Sequence, residues 1–134
     1  MDLKDLTPKS DDIVVTIKHP SSGEPLLNED KSEMTITIFA PHTKEYKKVI
    51  HEQTNKRLKE MQSGGGNRKE VTAEEIEEAT LEILAKTTKS WSITFDGKMP
   101  KLTLDKAKAI YEEVFWIKAQ IEGAVEDSLD FMKV

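Results

Sequence analysis

No cysteine occurs anywhere in the 134 residues. A disulfide framework, a zinc–thiolate site and a thiol nucleophile are therefore excluded, and the chain is compatible with a reducing compartment. Long apolar runs are also missing. None approaches the roughly 18 residues that span a bilayer. The opening residues Met1-Asp2-Leu3-Lys4-Asp5 lack the basic and apolar regions of a secretion signal. The expectation is a soluble protein that stays where it is made. Aromatic residues are scarce, at 6%, so any cluster of them is informative.

What is abundant is charge. A third of the residues are charged, with a formal net charge of −5. Both signs are interspersed, as on a solvated surface. Mild acidity argues against a phosphate-backbone binder, which needs a concentrated basic face. The length suits one domain and is short for two, yet long enough to bury a core without staples.

Residues 1–12 are polar and read as a loose arm. Ile13-Val14-Val15-Thr16-Ile17 is β-branched throughout and reads as a strand. His19-Pro20-Ser21-Ser22-Gly23-Glu24-Pro25 interrupts it with two prolines and a glycine. Met34-Thr35-Ile36-Thr37-Ile38-Phe39 alternates with the period of a half-buried strand. The two strands suggest a hairpin, which must pack on something to be stable.

Thr43 is positioned to cap a helix beginning at Lys44, whose apolar stripe is thin. Ser63-Gly64-Gly65-Gly66-Asn67 reads as a flexible linker. Thr72-Ala73-Glu74-Glu75 is a capping box that opens a second helix. The face Ile76, Ala79, Thr80, Ile83, Leu84 and Thr87 follows at helical spacing. Trp91 comes next, then the turn signal Asp96-Gly97 and Pro100. Thr103 is placed to cap a last helix running from about residue 104 to about 130. The expected architecture is α+β, mostly α: an N-terminal β-hairpin followed by about three helices. It forms a single domain over 13–134, with a flexible loop at 63–70.

Chemistry-bearing patterns are sparse. His19, His42 and His51 show no metal-ligand spacing, and neither a metal nor a cofactor is expected. Glu74, Glu75, Glu77 and Glu78 crowd a helix start, where they complement its dipole. The glycine run lacks the spacing and context of a phosphate loop. Lys44, Lys47, Lys48, Lys56, Arg57 and Lys59 form the densest basic stretch. It is the basis of an alternative reading as a small nucleic-acid-associated regulator. Glu45, Glu52 and Glu60 interrupt it, and only Tyr46 offers a stacking platform.

The aromatics Trp91, Tyr111, Phe115 and Trp116 are the candidate partner-binding residues. On one continuous helix, a single face cannot easily bury both Tyr111–Phe115 and Ile110–Val114–Ile117–Ile121. Some aromatics are then left for a partner, since Tyr and Trp are favoured interface anchors. The opposing expectation is that all are core, with Trp91 folded back onto the last helix.

The order of these segments resembles the tail assembly chaperones of long-tailed, non-contractile bacteriophages, the lambda-type group. The likeness runs from about Ile13 to about Phe131. Its most specific parts are the HPxxGEP loop at 19–25 and the stretch from Trp91 to Trp116-Ile117. The resemblance implies a non-catalytic protein that binds the tape measure protein and keeps it soluble. It also implies help for tail tube protein polymerising around it, through a longer form made by ribosomal frameshifting. Self-association along the tape measure is a further expectation. Such proteins act in the host cytoplasm during assembly and are absent from the mature virion.

Overall fold

The computed structural model describes residues 2–6, 10–63 and 72–128. The Ser63–Asn67 linker reading, apart from Ser63 itself, falls outside them, as does the last helix beyond Ser128.

The fold is α+β and mostly helical. A short 3-10 turn at Leu3–Leu6 precedes strand β1, Asp12–Thr16, and β2 follows at Thr35–Phe39. The β-branched residues of both strands alternate between two faces. Val15, Ile36 and Ile38 point to the core, while Val14 points to solvent. The pairing is antiparallel, with Val15 opposite Ile36 and Ile13 opposite Ile38.

The chain then enters α1, Lys44–Ser63, and α2, Ala73–Lys86. Thr43 caps α1 by accepting from the Tyr46 N–H at 3.2 Å. Thr72 caps α2 by accepting from the Glu75 N–H at 3.2 Å. Helix α1 leans on α2 through a polar cluster, and its Val49 is buried. The Glu82 carboxylate accepts from Gln53 Nε2 at 2.7 Å and lies 3.2 Å from Lys86 Nζ. The Gln53 bond, with Lys86 adding to it, holds the Glu82 carboxyl below its ordinary range.

The expected hairpin is one strand short. Thr88–Ser92 forms β3, so the sheet has three antiparallel strands in the order β1-β2-β3. Thr88-Lys89-Ser90-Trp91-Ser92 has only one large apolar residue, so its strand character comes from pairing with β2 and not from local pattern. The register slips between Thr37 and Ile38, the mark of a bulge. Lys89 Nζ reaches the Asp12 carboxylate at 3.0 Å, tying the two outer strands together across β2.

The single last helix also divides. Helix α3 spans Leu104–Glu113 and α4 spans Trp116–Asp127. Thr103 caps α3 through the Lys106 N–H at 3.1 Å. The break is at Val114, whose ψ of 66° leaves the helical region. Neither glycine nor proline marks it. The cause is the conflict of faces noted in the sequence. Interrupting the helix lets Ile110 and Tyr111 of α3 and Ile117 and Ile121 of α4 all be buried in one core, with Tyr111 meeting Thr88 and Trp91 of β3. Together with Leu81, Leu84 and Ala107 they complete one core under one face of the sheet.

Candidate functional site

Where the hairpin arm, the segment after β3 and the α3–α4 junction converge, they enclose a cavity of about 210 Å³. Each wall is held by its own local chemistry. The arm contributes Ile17, Leu26 and Met34. These three close a ring of backbone hydrogen bonds: Ile17 donates to Met34, Met34 to Leu26, and Leu26 to Ile17, at 2.8–2.9 Å. Asn28 fastens the same arm to the sheet. Its buried side-chain amide donates to the Ser92 carbonyl at 3.3 Å, and Thr94 donates to its Oδ1 at 2.7 Å.

The second wall is Ile93, Thr94 and Phe95. Phe95 starts a two-residue turn in which it and Lys98 exchange backbone hydrogen bonds at 2.8 and 3.1 Å. Asp96 and Gly97 both have positive φ, 53° and 72°. This is the conformation for which Asp-Gly is suited. Lys106 Nζ lies 5.4 Å from the Phe95 ring centroid, a cation–π contact. The helix junction supplies the third wall: Ile110, Val114, Trp116 and Ile117. Thr94 commits its hydroxyl to Asn28, and the other polar group among the lining side chains is the Trp116 indole N–H. The cavity therefore suits a largely apolar group.

Phe115 lies between two lining residues, Val114 and Trp116. Phe115 itself is 76% exposed. Among the described residues it is the only aromatic with most of its surface in solvent.

The four aromatic candidates thus separate. Tyr111 is no surface anchor: it is 1% exposed, and its hydroxyl meets Thr88 Oγ1 at 2.7 Å. Burial pushes the phenol up to about 12, against the smaller opposing effect of the Thr88 bond. Trp91 is half-buried and does fold back onto the helical layer. Its ring meets Tyr111 edge-on at 6.3 Å and its Nε1 donates to the Pro100 carbonyl at 2.9 Å. Trp116 is half-buried in the cavity wall. Phe115 is the one of the four that is mostly exposed. The sequence missed Leu26, Met34 and Ile93 as site residues, because nothing local joins them to the helix junction.

The other patterns have structural uses. His19 Nδ1 accepts from the N–H groups of Ser21 and Ser22 at 3.1 and 3.3 Å. The HPxxGEP segment is thus a self-capped turn. His42 Nε2 lies 2.9 Å from Asp11 Oδ1, and His51 is exposed on α1. Within the basic stretch, Lys56 lies 4.0 Å from Glu82, and Tyr46 is half-buried. Among the described residues, no three or more His, Asp or Glu side chains group to hold a metal ion. No helix among them is long and apolar enough to cross a membrane.

A larger, more polar groove of about 690 Å³ runs between the edge of β1 and α4. The Gln120 side chain spans it. Its Oε1 accepts from the Lys18 N–H at 2.9 Å, and its Nε2 donates to the Lys18 carbonyl at 2.7 Å.

Compared with known proteins, the chain matches no family model, no curated protein and no solved structure.

Proposed function

We propose that this chain is a non-catalytic tail assembly chaperone of a long-tailed phage. Its client is the tape measure protein, gripped by apolar side chains. The observation that carries the reading is Phe115, exposed between two residues that line an apolar cavity in a densely charged chain. Holding an aggregation-prone helical client requires apolar contacts that are few, local and surrounded by charge, so that the holder itself stays dispersed. The segment order and the two sequence stretches named above support the phage assignment. A longer frameshifted form would bring in the tail tube protein. The setting is the host cytoplasm during assembly, and the finished virion lacks the chain.

The test is co-expression with the tape measure protein of the same tail gene cluster. Wild-type chain renders the long protein soluble and co-purifies with it. The Phe115→Ala variant melts like wild type and recovers much less client. A client that stays insoluble with both the short and the frameshifted form refutes the chaperone reading. Equal recovery by Phe115→Ala refutes the assignment of its site.

A further inference from the structure

Strand β1 is an edge of the sheet, and its outward hydrogen-bonding groups can be followed residue by residue. On the β2 side, the Asp11 carbonyl accepts from Ala40 and the Ile17 N–H donates to Met34. Odd-numbered residues of this stretch therefore turn their N–H and C=O toward β2, and even-numbered ones turn theirs outward. Asp12, Val14, Thr16 and Lys18 face out.

Side chains close the two ends of this row. Ser10 Oγ accepts from the Asp12 N–H at 3.2 Å and donates to the Asp12 carbonyl at 3.1 Å. At Lys18 the Gln120 amide makes the same pair of bonds, at 2.9 and 2.7 Å. Each stands where a neighbouring strand would run. Between them, the N–H and C=O of Val14 and of Thr16 have no outer partner among the described residues, and Val14 is 62% exposed.

This slot has a floor. Val15 shares the core with Ile117 and Ile121 of α4, so α4 lies on the Val15 side of the edge. Gly123 and Ala124 of α4 line the groove there, and a Cβ on Gly123 would meet nothing within 4 Å. The lining holds one lysine, Lys18, and two carboxylates, Glu33 and Asp127.

We propose that the slot takes an extended segment of a partner protein as a further strand, antiparallel to β1. Three consecutive residues suffice. The outer two exchange backbone hydrogen bonds with Val14 and Thr16. The middle one, opposite Val15, lays an apolar side chain over Gly123 and Ala124. An uncharged or weakly basic segment suits the slight excess of carboxylates. The β1 strand of a second copy does not fit, because it brings its own Ser10 and Gln120 into the line where the bonds must form. The slot shares no lining residue with the cavity beside Phe115, and it does not depend on what that cavity holds.

Amide NMR of the full chain tests it, in a titration with an acetylated and amidated peptide of threonine, valine, threonine and lysine. The Val14 and Thr16 signals move most, and their hydrogen exchange slows. N-methylation of both threonines removes the donors aimed at β1 and weakens binding at least about tenfold. N-methylation of the valine, whose N–H points away from β1, leaves binding in place. Gly123→Leu fills the groove and weakens binding at least about tenfold. Its melting temperature is equal to wild type or higher, since leucine suits a helix better than glycine.

Signals that stay still at millimolar peptide overturn the inference. So does equal binding by the threonine-methylated peptide or by Gly123→Leu. Val14 and Thr16 amides already protected in the free chain overturn it as well. Protection that is independent of concentration means that the chain covers its own edge, and protection that grows with concentration means that a second copy does.

Discussion

The buried phenol of Tyr111 makes stability depend on alkaline pH in a way that one substitution isolates. Thr88 Oγ1 lies 2.8 Å from the Leu84 carbonyl and has one proton to give, which goes there. The Tyr111 hydroxyl therefore donates to Thr88. Burial disfavours the negative oxygen that ionisation would place in the core, and this outweighs the smaller lowering effect of the Thr88 bond, so the folded phenol titrates at about 12 instead of 10.0. A folded value above the unfolded one means that stability is complete below pH 10 and is lost as pH rises through 12. Two pH units at about 1.4 kcal/mol each give a loss of about 3 kcal/mol.

Tyr111→Phe keeps the ring and removes both the bond and the titration. Below pH 10 the variant is less stable by about 1 kcal/mol, the net worth of one hydrogen bond. Near pH 11 the two curves cross, and above it Tyr111→Phe is the more stable protein. Urea unfolding of both proteins at steps from pH 8 to pH 12 measures the difference. Contributions of Tyr46 and the lysines cancel because both proteins carry them. A difference that stays constant across the range refutes the buried-donor account.

Two further substitutions probe the walls of the cavity. Asn28→Asp turns a donor facing the Ser92 carbonyl into a carboxylate oxygen at a site 4% exposed. It costs about 3 kcal/mol at neutral pH, and lowering the pH into the carboxylate range regains part of that, as thermal melts at pH 7 and pH 4 show. Gly97→Ala meets no atom within 4 Å but must hold φ near 72°. The cost is about 1 kcal/mol from backbone alone, a Tm lower by about 3–5 °C, whereas Gly97→Asn loses less than Ala.

Local signals were legible in the sequence, and signals that depend on distant partners were not. Thr43, Thr72 and Thr103 all cap the helices that follow them, because a cap is written within four residues. The Asp96-Gly97 turn is likewise a two-residue statement. Strand β3 was hidden because Thr88–Ser92 owes its conformation to β2, some fifty residues earlier. The break at Val114 was hidden for a related reason. The competing apolar arcs were visible, but nothing in Val114-Phe115-Trp116 says which way a helix yields when two faces both demand burial. Of the site, Phe115 and Trp116 were visible as an aromatic cluster. The walls that make a cavity beside them come from Ile17, Leu26, Met34 and Ile93, joined only by the fold.

Helix α1 has an unequal distribution of support. Its 20 residues extend about 30 Å, yet every residue from Thr54 to Gln62 is exposed, Leu58 and Met61 among them. The proximal half is seated by Thr43, Val49 and Gln53, while the distal half relies mainly on its own backbone ladder. In hydrogen exchange, amides of the distal half open at far lower free energy than those beside Val49, in a separate cooperative step. That half is a reserve of conformational entropy. Anything that stiffens it is opposed by the freedom lost, so a contact made along it is weaker than the same contact made beside Val49.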